Sequence, residues 1–356
     1  ICINETEMSH KILIIGSVPK VGNDKSIGGA TVLMSNLVEY LKSNSISFYF
    51  IDTNVYYNSK FSFVLNLFHL LKKYLSYIFE VDVVMFNFSD RGTLLLFPFL
   101  SIFSILFRRK LVLRLFGGGF IDSFEKLNYL QKNFFVFILD KVHIVLVETL
   151  YLRSFFEKIV KKELKVIWYP NVRNQPIVFK VERTYLKRYV FISQIKKEKG
   201  INEILQASML INQECLIDVY GPIVDSCYYN FEWNKYNVNY KGVIPSSDVL
   251  EVLNQYDVLL LPTYYKGEGY PGIIIEAFSL GIPVISTNWR GIPEIVNNGV
   301  NGILINSCDA NALALAINNM NADNYKKLSL GARESFINKF ESNKINQMVV
   351  TSLLNL

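Results

Sequence analysis

Lys266–Thr287 reads KGEGYPGIIIEAFSLGIPVIST. The run before it, VLLLP (Val258–Pro262), is short, apolar and β-prone, and predicts a buried strand. A loop rich in Gly and Tyr leads to Pro271. Proline suits a first helical position, because its φ is preset and the N–H it lacks would be orphaned there anyway. A helix over Pro271–Leu280 is expected, stopped by a left-handed Gly281, and then a second buried strand, Pro283–Thr287. Strand, glycine-rich loop, helix, strand is the repeating unit of a parallel sheet, whose ligands sit at the carboxyl ends of its strands. The open N–H groups of Gly272 and Ile273 would face out of the helix start. With the helix dipole they suit a phosphate. Glu268 and Glu276 flank that start. Glu276, in the second turn, can accept two hydrogen bonds from a vicinal diol such as a ribose. Glu268, in the loop, is repelled by phosphate and belongs on the far side, where a sugar would lie. The plainer alternative is that both acids complement the helix dipole.

The same alternation runs through the chain. Strands are predicted at Lys11–Gly16, Phe48–Asp52, Asp82–Phe86, Lys110–Phe116, His143–Val147 and Lys165–Tyr169. After a polar stretch with Pro176 they resume at Tyr189–Ile192, Leu216–Tyr220, Val238–Lys241, Val258–Pro262, Pro283–Thr287 and Gly302–Ile305. Helices are predicted over Ala30–Leu41, Ile201–Ile211, Ser247–Tyr256, Ala310–Asn319 and Tyr325–Phe336. The 356 residues suit two domains at roughly 150 each. The expectation is α/β: two Rossmann-like, doubly wound domains facing across a cleft, 1–172 and 173–340. A helix at 341–356 returns to the first domain.

Composition removes other classes. At 51% hydrophobic residues the chain cannot stay solvated and unfolded. The four cysteines are scattered, which excludes a disulfide framework and fits a reducing cytoplasm. The three histidines lie far apart and no two aspartates stand two residues apart, so no metal–diphosphate site of Asp-x-Asp type is expected. The opening ICINETE has two acids and no basic n-region, unlike a signal peptide, and Met8 is a candidate start. The net charge is +6; residues 1–170 hold 20 Lys+Arg against 14 Asp+Glu and so carry all of it. That excess is small for nucleic-acid binding and suits an anionic surface.

The Glu268/Glu276 segment resembles the Glu-x7-Glu signature of family 4 (group 1) retaining glycosyltransferases of GT-B fold, and GIPEIVNNGVNGILI (Gly291–Ile305) resembles the stretch just after that signature in the family. The resemblance implies that Glu268 faces the donor sugar, Glu276 holds the ribose, and Gly272 and Ile273 hold the diphosphate. FISQIKKEKGINEIL (Phe191–Leu205) is similar to the family's strand, basic loop and helix. Lys199 matches a lysine that neutralises diphosphate. The family's arginine position is Gln194 here, with Lys196 or Lys197 as possible compensation. DVYGP puts Gly221 after a strand, where backbone approaches a ligand (the donor) or a helix closely, and KGVIPSSDV resembles the family's base pocket, with Val243 and Ile244 against the base, or is an ordinary strand-to-helix turn with Ser as N-cap. In the first half the resemblance places Gly28 and Gly29 at the diphosphate. The three glycines of LFGGGFID imply close backbone approach or a flexible turn, with Gly118 and Gly119 assigned to the acceptor side; many relatives carry a histidine in this region, this sequence has none, and Asp122 is the nearest polar candidate for acceptor activation. Arg114 reads as a strand residue reaching solvent.

The activity implied is metal-independent transfer of a hexose, with retention, from a nucleotide diphosphate sugar, UDP favoured over GDP. No cofactor is implied beyond the donor. The acceptor is a polyprenyl-diphosphate-linked oligosaccharide of bacterial capsule or O-antigen synthesis. The rivals are a nucleotide-sugar 2-epimerase and a non-catalytic membrane-surface scaffold. The uncharged Thr93–Phe107 (TLLLFPFLSIFSILF), followed by Arg108, Arg109 and Lys110, makes a helix of about 22 Å, too short for a roughly 30 Å hydrocarbon core. With Leu65, Phe68, Leu71, Leu75, Lys72 and Lys73 it suggests peripheral attachment to anionic lipid.

Overall fold

The computed structural model describes residues 11–19, 29–53, 60–160, 164–177 and 182–356, with 60–66 as backbone only. The chain divides into two compact units, Ile1–Pro170 with Ser342–Leu356, and Asn171–Glu341.

In the first unit the order is β1 (Ile12–Gly16), α1 (Gly29–Ser43), β2 (Phe48–Asp52), α2 (Lys60–Tyr77), β3 (Val83–Ser89), α3 (Asp90–Leu106) and β4 (Lys110–Phe116). Then come α4 (Phe120–Glu125), α5 (Tyr129–Leu139), β5 (Ile144–Val147), α6 (Leu150–Ile159) and β6 (Lys165–Trp168). The strands form one parallel sheet, β2-β1-β3-β4-β5-β6. A parallel sheet is covered on both faces, which is why ILIIG and its neighbours read as unbroken apolar runs. On one face Leu13, Phe86, Leu113 and Val145 pack against Tyr74, Phe97, Phe120, Phe135 and Phe156. Phe97 meets Phe86 and Phe135 edge-on at 5.4 and 6.3 Å. Such pairs add about 0.5–1.5 kcal/mol each beyond area burial.

The expected apolar helix is α3. It buries Phe97 and Leu100 but leaves Leu95 and Leu106 about 70% exposed (71% and 70%), with Phe99 and Ile102 between them. It is therefore half core and half surface. Among the described residues no helix is long and apolar enough to cross a membrane.

The second unit runs β7 (Arg188–Ile192), α7 (Ile201–Ser208), β8 (Leu216–Tyr220), β9 (Asn239–Tyr240), α8 (Val249–Leu253) and β10 (Val258–Leu261). It continues through α9 (Gly272–Ser279), β11 (Val284–Thr287), α10 (Ile292–Ile295), β12 (Gly302–Ile305), α11 (Ala310–Asn318) and α12 (Ala322–Lys339). Its parallel sheet has the order β12-β11-β10-β7-β8-β9. The chain winds outward from β7 in one direction and from β10 in the other. The β7/β10 junction is thus the switch point, where two loops diverge and leave a crevice. In the first unit the corresponding junction is β1/β3. The last helix, α13 (Ser342–Leu354), belongs to the first unit. It packs on α1, and its buried Asn346 is hydrogen-bonded to the Tyr169 hydroxyl.

Candidate active site

At the switch point of the second unit, β7 leads into a short 3-10 turn, Lys197–Lys199, and then Gly200 at φ +87°. A Cβ on Gly200 would stand 2.3 Å from the Pro262 carbonyl oxygen, so only glycine lets the two loops approach this closely. The Tyr264 N–H donates to the Glu198 carbonyl at 2.8 Å and ties them together. Lys199 is thereby aimed at Glu268. Its Nζ donates to Glu268 Oε2 at 2.7 Å, and the Thr263 hydroxyl donates to the same oxygen at 2.9 Å. Both charged side chains are nearly buried, at 14% and 9% exposure. A buried ion pair is weak evidence for stability, since desolvation consumes most of the Coulombic gain. Its position at the carboxyl ends of β7 and β10 points instead to chemistry.

The α9 start lies alongside. Pro271 is the N-cap, with ψ 117°, and Gly272 is the first helical residue, one later than expected. The Ile274 N–H turns back to the Pro271 carbonyl at 3.1 Å. The amides of Gly272 and Ile273 make no hydrogen bond among the described residues and face out of the helix start. Glu276 is half-buried and its Oε1 accepts from Arg173 Nε at 2.7 Å. Sequence reading missed Arg173. Its guanidinium also donates to the Asn171 side chain and, at 2.9 Å, to the Val172 carbonyl. A Cβ on Gly272 would lie 2.0 Å from an Arg173 terminal nitrogen, so this glycine makes room for a cation.

The other donor-side residues lie on neighbouring loops of the same sheet edge. Gln194 is exposed. Lys196 is held by Glu198 at 2.5 Å and stands over the Tyr265 ring, while Lys197 is exposed. Gly221, at φ +140°, allows the Ser193 carbonyl to come within 1.7 Å of where a Cβ would be. Its missing side chain is thus explained by packing of the β8 turn on the β7 turn. Val243 is 64% exposed and Ile244 half-buried, leaving apolar surface open beside that turn.

In the first unit, Gly29 opens α1, and Gly28 lies outside the described residues. Gly117–Gly119 follow β4; a Cβ on Gly119 would reach Asp90 Oδ2 at 2.8 Å. Gly118 and Gly119 are half-buried, and Asp122 is exposed in the first turn of α4. Asp90, at the start of α3, escaped sequence reading. Burial pushes its carboxyl up to about 6, with the Asp122 charge adding to the effect. Arg114 does not reach solvent as expected. It is 1% exposed on β4, its guanidinium 3.7 Å from the Tyr169 ring centre and 4.6 Å from that of Phe116. The strand alternation turns it inward, and two aromatic faces replace part of its lost hydration.

These two doubly wound units are those of the GT-B fold. The Anabaena protein Alr3699/HepE, solved in complex with UDP, superposes with a TM-score of 0.71 at 17% identity, over 97% of this chain and 100% of that one. The sequence profile of the glycosyl transferases group 1 family matches residues 176–339. The matched stretch falls within the second unit. The chain is 36% identical to the putative colanic acid biosynthesis glycosyltransferase WcaL of Salmonella typhimurium over 32% of this chain and 29% of that protein. It is 24% identical to the N,N'-diacetylbacillosaminyl-diphospho-undecaprenol alpha-1,3-N-acetylgalactosaminyltransferase of Campylobacter jejuni, over 59% and 57%. The chain thus spans less than two thirds of the length of these curated relatives.

Proposed function

We propose that this glycosyltransferase moves a hexose, with retention, from a nucleotide diphosphate sugar to a sugar hydroxyl of a polyprenyl-diphosphate-linked oligosaccharide. The reading rests on one observation: the buried Lys199–Glu268 pair held beside the open amides of α9. The diphosphate would take the Gly272 and Ile273 amides, the ribose Glu276, and the sugar the Glu268 side. As the bond from the anomeric carbon to the phosphate oxygen breaks, its electron pair leaves on the nucleotide. Lys199 and the α9 dipole stabilise that charge. The acceptor oxygen bonds the anomeric carbon on the same face, and its proton passes to the departing phosphate. Asp122 is the first-unit group proposed to orient that hydroxyl.

Positive charge of this kind makes a metal unnecessary in the proposal. UDP is the nucleotide to test first, because the Anabaena protein of this fold was solved with it. The lipid-linked acceptor is supported by the name of the Campylobacter relative and by the exposed apolar face of α3 followed by Arg108 and Arg109. That face is proposed to rest on anionic lipid at the cytoplasmic side. The side chain of Leu65 lies outside the described residues, whereas Phe68, Lys72 and Lys73 are exposed.

The test is thermal shift with UDP, GDP and ADP and their sugars, followed by transfer assays with and without EDTA. A ligand bound only by the native state raises the melting point. The expected result is stabilisation by one nucleotide and transfer that survives EDTA. Absence of any nucleotide effect would leave the scaffold reading, and activity restored only by manganese or magnesium would overturn metal independence.

A further inference from the structure

We infer that Arg173 supplies the second cation for the donor's diphosphate, in the place that Gln194 leaves neutral. The inference rests on the glycosyltransferase reading above and adds a residue to its donor site. Gln194 is exposed and uncharged, and Lys196 is engaged by Glu198. Arg173 enters the same region from a different direction, the segment that opens the second unit. Its backbone is fixed there: its N–H donates to the Phe340 carbonyl at 3.0 Å, and it bridges to Glu341. A side chain rooted this way is pre-positioned for a ligand.

The electrostatics suit an anion at this point. A guanidinium beside the start of α9 meets the positive end of the helix dipole, the wrong end for a cation. Glu276 offsets this through Nε, and Asn171 and the Val172 carbonyl take one terminal nitrogen. The other terminal nitrogen has no hydrogen-bond partner among the described residues. It lies against Gly272, next to the two open amides. A phosphate on those amides would be met by that nitrogen on its other side. The planar fork of arginine suits this arrangement: one edge rests on Glu276 while the remaining N–H groups turn to phosphate oxygens.

A purely structural role, holding Glu276 in place, makes a different forecast, because it acts through the ribose. The experiment compares UDP with uridine, by calorimetry and by NMR titration, on the parent, Arg173→Gln and Arg173→Lys. Phosphate contact predicts that Arg173→Gln weakens UDP about tenfold or more while uridine changes by less than about twofold. Arg173→Lys should recover part of the UDP affinity, since it restores charge without the fork. If Arg173→Gln fails to fold, Arg173→Lys alone decides by the same ratio. Equal losses for UDP and uridine, or no loss for UDP, would overturn the inference while leaving the donor site intact. A parent that binds none of UDP, GDP and ADP would overturn the donor-site reading itself, and this inference with it.

Discussion

Glu268 and Glu276 are held by different partners, and the difference forecasts different phenotypes. Glu276 accepts from Arg173 beside the α9 start, on the side assigned to the ribose. Glu276→Ala should weaken nucleotide binding by about 1.5–3 kcal/mol, the worth of a charge-assisted hydrogen bond. Glu268 is bound by Lys199 and Thr263 on the side proposed for the sugar, so Glu268→Ala should lower kcat and leave nucleotide Kd close to the parent's. Titration calorimetry and steady-state kinetics check both; the reverse pattern would exchange the two roles. Asp90 gives a pH-dependent forecast. Its carboxyl titrates near 3.8 when free and at about 6 in the fold. Between those values the folded state binds more protons, so stability falls as pH rises from 4 to 6 and the loss is complete above 6. Asp90→Asn lacks this loss. Its melting-point advantage over the parent should grow between pH 4 and pH 7; a constant difference would refute the burial argument. The glutamate pair was legible because eight-residue spacing around a helix start is a local pattern. Arg173 and Asp90 were not. Arg173 meets a partner 103 residues away, and Asp90 owes its shift to burial and to a carboxylate on another element.

At the level of elements, the approach of the β7 and β10 loops depends on a single missing methyl group. Gly200→Ala would combine a left-handed backbone with a clash on the Pro262 carbonyl, and should cost about 2–4 kcal/mol. Gly242→Ala is the control: its φ is +83° but nothing lies within 4 Å of the added carbon, so only the backbone penalty of about 1–2 kcal/mol applies. Melting curves compare them, and equal destabilisation would remove the steric part of the argument. Gly200→Ala should also displace Lys199 from Glu268 and reduce turnover. Strands were the legible elements: every strand read from the sequence is present, with ends shifted by up to three residues. Their burial on both faces leaves an unmistakable apolar run. Helices of the first unit were harder. In α5, Phe135 and Ile138 point into the core while Leu130, Phe134 and Phe137 stay exposed, so the 3.6-residue period is erased.

For the whole molecule, the exposed apolar face of α3 forecasts where it would meet lipid. Leu95, Phe99, Ile102 and Leu106 of α3 are exposed on a unit that carries the chain's entire positive excess. Flotation with anionic vesicles should recover the parent, less so as salt rises, and should fail with neutral vesicles. Arg108→Glu/Arg109→Glu should reduce recovery, since each basic residue near such a surface is worth about 1 kcal/mol. Flotation that ignores lipid charge, or none at all, would leave α3 a merely exposed helix.

The placement of α13 has a consequence for how the protein is made. Because Ser342–Leu354 completes the first unit, the second is an insertion within it. A ribosome finishes the whole second unit before it delivers the helix that packs on α1 and partners the Tyr169 hydroxyl. The second unit is contiguous in sequence and can fold as it emerges. The first, although its sheet is synthesised earlier, waits for α13 with the α1 face uncovered. A released fragment ending at Glu341 should therefore resist protease across the second unit while the first is still cut.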